Sequence, residues 1–286
     1  MKNARDKRVI QNVISVIVVV LSAIMLLRYG NQFVLEDQYN KTFMFYLIIL
    51  SVAIVVHALK AVRLFIILLG QPFDKKIFLF CFIDTTIVNL LLPFKSGEVY
   101  RGYRIGELVG SYSIGYIMVI FDRFVDTLAL IAFIVGAGFI EGFEITSLYI
   151  VLAIFLLICI LIYWMFKPLY QYWNHFLVFK RGTKHTLWGL KILNLCNETY
   201  KNIQAVVKGR FAIIFGISLA AWGIEIFGMM SLTRYIDTFG MADYLTDIMR
   251  GELSVQSMAF ALISVVFLGI VKLVIRLMQM SAREKG

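Results

Sequence analysis

Residues Leu90–Arg104 read LLLPFKSGEVYRGYR, and the placement of this stretch decides the fold. Pro93 ends a helix, because it has no backbone N–H and its ring clashes with the preceding turn. Ser96 suits the N-cap of a new helix, and Gly97 gives a flexible joint beside it. From there Glu98, Arg101 and Arg104 recur at i, i+3 and i+6, which sets them along one side of a helix. Lys95 adds a further cation at the break. Apolar runs lie on both sides, so this charged helix start sits within an oily chain.

The 286 residues are 60% apolar and only 16% charged. Soluble domains average about 45–50% apolar and about 25% charged. Several apolar runs approach or exceed the roughly 20 residues that span a bilayer. The chain therefore reads as an all-α integral membrane protein. Its net charge of +10 fits loops facing anionic lipid, not nucleic acid, since no soluble basic domain is present to use it. Cys81, Cys159 and Cys196 form no CxxC, and His57, His175 and His185 have no metal-ligand spacing. No metal, cofactor or catalytic residue is expected. No G-x-x-x-x-G-K-S/T phosphate loop occurs.

In chain order, spans are expected at about 9–27, 42–69, 111–140, 146–166, 211–236 and 254–278. The first reads as a retained helix, not a cleaved signal. The excess length of the second is expected to emerge at Lys60 and Arg63. Residues 167–210 carry eight Lys/Arg and one acid, Glu198, and read as a basic cytoplasmic segment lying at the interface. The run Ile77–Leu92 is short and holds Asp84, Thr85, Thr86 and Asn89. If it does not span, 23 of the 28 Lys/Arg fall on one side, as the positive-inside rule asks. Six spans follow, with both termini cytoplasmic and one re-entrant hairpin over 77–109 opening to the cytoplasm. Its arms are Ile77–Leu92 and Glu98–Val109. Non-helical backbone at such a tip is tolerated where protein or a watery cavity surrounds it, as at transporter substrate sites.

The pattern N-x-x-L-P-x-R/K-x-G-E-x-x-R, followed after about twenty residues by E/D-R-x-x-D, resembles the flippase-like membrane domain of lysyl-phosphatidylglycerol synthases. The matching residues are Asn89, Leu92, Pro93, Lys95, Gly97, Glu98 and Arg101, then Asp122, Arg123 and Asp126. Lys60 and Arg63 fall where that family often has basic residues ending its second helix. The family's glycine-rich stretch before the last helices has no counterpart in 237–253. The soluble aminoacyl-transferring domain is missing too, so a stand-alone member is expected. The resemblance thus implies lipid handling or translocation, not lysine transfer.

Two groups of residues are candidates for that role. Lys95, Glu98, Arg101, Arg104 and Asn89 form the first, a head-group site at the hairpin. Lys95 and Arg101 would meet a phosphate, and Glu98 would hold Arg101. The bland alternative is a juxtamembrane helix among lipid head groups. Asp122, Arg123, Asp126 and Glu225 form the second group, lining a polar route. Asp122 lies about 16 Å along its helix, near mid-bilayer, where ionisable groups face a cavity or one another. The bland alternative is a self-neutralising cluster that locks helices together. A further expectation is that this group contacts the 95–104 stretch. Thr85 and Asn89 share a face and serve either the cavity or the hairpin backbone.

The expected function is binding and translocation of a phospholipid or polyprenyl-phosphate-linked substrate across the cytoplasmic membrane. The alternatives are a transferase acting on a lipid phosphate, and a non-catalytic partner of a cell-envelope lipid or polysaccharide assembly. Expected partners are membrane lipids, with a second copy of the chain or cell-envelope biosynthesis proteins as candidates.

Overall fold

A computed structural model describes residues 20, 24, 39–91, 96–141, 147–179, 184–231 and 255–284. Seven α-helices occur among them: α1 (Tyr39–Leu68), α2 (Lys75–Leu91), α3 (Ser96–Val109), α4 (Tyr112–Glu141), α5 (Ser147–Phe179), α6 (Lys184–Ser231) and α7 (Val255–Glu284). No strand occurs among the described residues. Four stretches are long and apolar enough to cross a membrane: Met44–Leu68, Ile150–Phe179, Thr186–Ser231 and Met258–Leu277. The chain is an all-α integral membrane protein. Of the expected first span, only Val20 and Ile24 are described, both helical. The rest of it lies outside the described residues, as do Pro93, Phe94, Lys95 and the acidic loop 237–253.

The stretch around Pro93 divides two helices. α2 ends at Leu91, and α3 begins at Ser96. With 17 and 14 residues, they measure about 26 Å and 21 Å, short of a hydrocarbon core of about 30 Å. They form an antiparallel hairpin. Asn89 lies against Gly97 near the tip, and the Tyr100 hydroxyl reaches back to Asp84. A Cβ on Gly97 would stand 2.6 Å from Asn89 Oδ1, so glycine lets the arms close. Thr85 donates to the carbonyls of Cys81 and Phe82, and Thr86 to that of Phe82. These hydroxyls serve the hairpin's own backbone.

Gly110, at φ 77°, turns α3 into α4. That left-handed conformation suits a residue without Cβ. The two helices then run antiparallel at close range, because Gly102 and Gly106 face Tyr116, Tyr112 and Gly115. Small residues four apart let helix backbones approach. A methyl at Gly115 would sit 2.6 Å from the Gly102 carbonyl oxygen, and backbone cannot swing aside as a side chain can. Gly115→Ala is expected to cost about 1–3 kcal/mol by overpacking, read as a lower thermal midpoint in detergent. An unchanged midpoint would mean that the seam is looser than its geometry.

α6 packs antiparallel to α1, in a register fixed by side chains. Arg210 Nη1 donates to the carbonyls of Ile66 and Leu69 at the C-terminus of α1, where a cation offsets the helix dipole. Farther along, Ser218 meets Arg63, Glu225 meets Lys60, and Gly228 meets Val52. Two apolar cores result. One joins Phe45–Val56 of α1 to Ala129, Leu130 and Ile134 of α4, Ile226 of α6 and Phe260 of α7. The other joins Leu64–Leu68 of α1 to α2, α3, Met118–Val125 of α4, Ile214 and Leu268. Lys60 and Arg63 lie on α1 between the two.

Two expectations need correction. Arg63 does not emerge from the bundle: it is 1% exposed, because two carboxylates of α4 hold it inside. Finally, no helix boundary occurs at 166 or 211. α5 runs through Pro168 to Phe179, and α6 runs unbroken from Lys184. Just before Pro168, the Tyr163 and Phe166 rings of α5 pack on Tyr200 of α6.

Candidate functional site

Between the two cores, α1, α3 and α4 contribute a closed ring of alternating charges. Arg63 Nε donates to Asp122 Oδ1 at 2.7 Å, and Arg63 Nη1 donates to Asp126 Oδ1. Asp122 and Asp126 are one turn apart on α4, so both carboxylates meet one guanidinium fork. Arg63 Nη1 also donates to Ser218 Oγ at 2.9 Å. On its other side, Asp122 Oδ2 lies 3.3 Å from Arg101 Nη2. Arg101 Nη1 stands 4.0 Å from Glu98 Oε2. The other Glu98 oxygen meets Arg123 Nη2 at 2.8 Å, and Arg123 Nη1 returns to Asp126 Oδ2 at 3.6 Å. Arg63, Asp126, Arg123, Glu98, Arg101 and Asp122 thus close a circuit of three arginines and three carboxylates.

Burial differs around the ring. The side chains of Arg63, Asp122 and Arg101 are at most 5% exposed, while that of Arg123 is 40% exposed. Opposite charges in so dry a place must be paired, since each alone would cost several kcal/mol in lost hydration. The hydrogen bonding is nevertheless incomplete. Arg101 Nε, Arg123 Nε and Glu98 Oε2 are buried atoms without a hydrogen-bond partner among the described residues. So is Arg104 Nε, which faces Asp84 at 3.7 Å.

A side branch extends the ring toward α6. Lys60 Nζ donates to Glu225 Oε2 at 3.1 Å and stands 5.6 Å from the Trp222 ring centre. The contact expected between the α4 charges and the 95–104 stretch is therefore present, through Arg101–Asp122 and Glu98–Arg123. Glu225 joins by way of Lys60. Asn89 stays within the hairpin against Gly97. Arg104 departs from the group: it donates to Glu107 Oε2 at 2.5 Å and turns toward Asp84, away from the ring. Lys95 lies outside the described residues. The three cysteines are unpaired. Among the described residues, no cluster of His, Cys, Asp or Glu could hold a metal ion.

Arg63 is the ring member that the sequence reading left out. Its signal was the resemblance alone, which set Lys60 and Arg63 at the end of the second helix without naming a partner for either. Ser218 had no signal at all.

Long apolar helices closing on a ring of buried ion pairs define an integral membrane protein with a polar interior. The model of the lysylphosphatidylglycerol synthase TM region family matches residues 9–267, and the chain belongs to that family. No curated protein and no solved structure matches the chain.

Proposed function

We infer that the chain is a flippase-like protein that binds a phospholipid or a polyprenyl-phosphate-linked substrate and carries its head group across the cytoplasmic membrane. The observation that carries this reading is the pair of guanidinium Nε atoms at Arg101 and Arg123, both buried in the ring without a hydrogen-bond partner among the described residues. A phosphate is the acceptor that suits them, because its oxygens match the guanidinium fork. The start of α3 adds backbone amides pointing at an anion.

Charge count supports the same reading. Lys60, Arg63, Arg101 and Arg123 balance Glu98, Asp122, Asp126 and Glu225. Lys95, directly before α3 in the chain, adds one positive charge to that balance, which suits a monoanionic phosphodiester. Lys95 and Arg101 serve as head-group cations, with Glu98 and Asn89 shaping the hairpin around them. Asp122, Arg123, Asp126 and Glu225 line the polar route. Along it, an arginine exchanges a carboxylate partner for a phosphate oxygen and then takes the carboxylate back. No bare charge is left in a dry site at any stage. The lipid tails remain in the bilayer throughout. The 77–109 hairpin is re-entrant in this reading, with both termini of the chain in the cytoplasm.

Proteoliposomes holding head-group-labelled phospholipid and an impermeant quencher test it. A Lys95→Gln/Arg123→Gln chain is suited to this, since Arg123 is partly exposed and its loss leaves Arg63 paired. Flipping is expected to slow by about ten-fold or more, the effect of losing one charge-assisted contact. Equal rates for the two chains sink the site assignment. Wild-type rates no better than empty liposomes sink the transport reading.

A further inference from the structure

One turn before Lys60 on α1, His57 is buried within a membrane span, and neither of its ring nitrogens has a hydrogen-bond partner among the described residues. Two further buried polar atoms share that state. Trp222 Nε1 on α6 belongs to the indole that Lys60 Nζ approaches at 5.6 Å. Ser264 Oγ on α7 lies one turn after Phe260, whose ring stacks on the imidazole with centroids 6.0 Å apart. Three helices thus leave hydrogen-bonding groups unused close to the Lys60–Glu225 branch. Each unmade bond of a buried group costs about 1–3 kcal/mol, and an ionisable group held inside a membrane at such a cost points to a function.

The charged groups around the imidazole decide what it can bind. On α1, Lys60 acts on it through space, and Arg63 follows about 9 Å along the helix from His57. α6 offers Glu225, which Lys60 already holds at 3.1 Å. α4 offers Asp126, which also feels Lys60 and is bound by Arg63. α7 brings Phe260 and Ser264, and its first charged residue, Lys272, comes eight residues after Ser264. An imidazolium would therefore stand beside a cation with both nearby carboxylates taken, which a dry site does not support. An anion in the ring supplies the missing negative charge. Water reaches the neighbourhood through Lys60, whose side chain is 24% exposed.

We propose that His57 is a proton site coupled to the ring, neutral while the ring is empty and charged when an anionic head group enters. The inference rests on the phosphate reading of the ring given above. One proton passes from water to a lone pair of an imidazole nitrogen and returns to water when the head group leaves. The spare groups of Trp222 and Ser264 suit a water molecule that relays it. Lys95 balances the anion near the start of α3, and His57 does so farther along the route, where Lys95 is left behind. Proton and anion then cross as a neutral pair, and a proton gradient drives the head group.

The test is calorimetry of the full chain in detergent with a short-chain phosphatidylglycerol, whose phosphodiester has no proton of its own to exchange near neutral pH. Heats in buffers of different ionisation enthalpy count the protons taken up. Wild type is expected to take up about one proton per bound anion, with affinity rising up to about ten-fold for each unit that the pH falls. His57→Gln is expected to bind the anion with no uptake and a flat pH profile. Equal uptake by the two chains overturns the proposal. A second measurement keeps the imidazole in place. The chain has three histidines, so His175→Gln/His185→Gln leaves the His57 ring alone in a histidine-selective nitrogen spectrum. Its signals are expected to pass from the neutral to the imidazolium pattern when the anion is added. A neutral pattern with anion bound overturns the proposal and leaves the phosphate reading of the ring intact. No binding of the anion by wild type overturns both.

Discussion

Asp122→Asn is expected to destabilise the protein by about 3–5 kcal/mol, the usual cost of breaking a buried ion pair from one side. Asp122 is fully buried between Arg63 Nε at 2.7 Å and Arg101 Nη2 at 3.3 Å. Asparagine keeps the volume and can still accept a hydrogen bond. It cannot neutralise two guanidinium groups that water does not reach, and the ring is left with one positive charge in excess. The measurement is the thermal midpoint in detergent, set beside Arg123→Gln. Because the Arg123 side chain is 40% exposed, its removal is expected to cost no more than about 1 kcal/mol. Similar midpoints for the two variants would mean that the ring is wetter than its burial indicates.

The second large effect concerns Arg63, and it is a test of coupling. Arg63→Leu removes the group that bonds Asp122, Asp126 and Ser218 together. A loss of about 3–5 kcal/mol is expected, because the ring then carries an uncompensated carboxylate. Adding Asp126→Asn restores the balance, leaving Arg101 and Arg123 with Asp122 and Glu98. The double variant is therefore expected to be more stable than Arg63→Leu alone, by about 1 kcal/mol or more, as coupled neighbours behave. If the two losses simply add, the six charges do not act as one unit. A lysine at position 63 would not substitute, since a point charge cannot reach both carboxylates with fixed geometry.

The hairpin was legible in the sequence because its break is local chemistry. Pro93, Ser96 and Gly97 stop one helix and start another, whatever surrounds them. Five of the six ring residues were legible for the same reason: Glu98 and Arg101 on one helix, and Asp122, Arg123 and Asp126 on another, are set apart by spacing alone. Arg63 was not legible as a partner. It lies 59 residues from Asp122, and only the lateral packing of α1 on α4 joins them. A cation near the end of an apolar run also looks like one that reaches for the interface, and sequence alone does not separate the two cases. The pairing of Lys272 with Asp84 was not legible either, since the two lie 188 residues apart. The far end of α5 was missed for a different reason. Pro168 and the basic residues around it imitate a helix stop, yet α5 continues through them to Phe179.

α6 has one more property, which follows from its length. At 48 residues it measures about 72 Å, more than twice a hydrocarbon core of about 30 Å. Arg210 clasps it to the end of α1 partway along. From that clasp the helix runs about 22 Å to Glu225 in one direction and about 39 Å to Lys184 in the other. One unbroken helix thus joins the α5–α6 end of the protein to Ser218, Trp222 and Glu225, the side chains through which α6 touches Arg63 and Lys60.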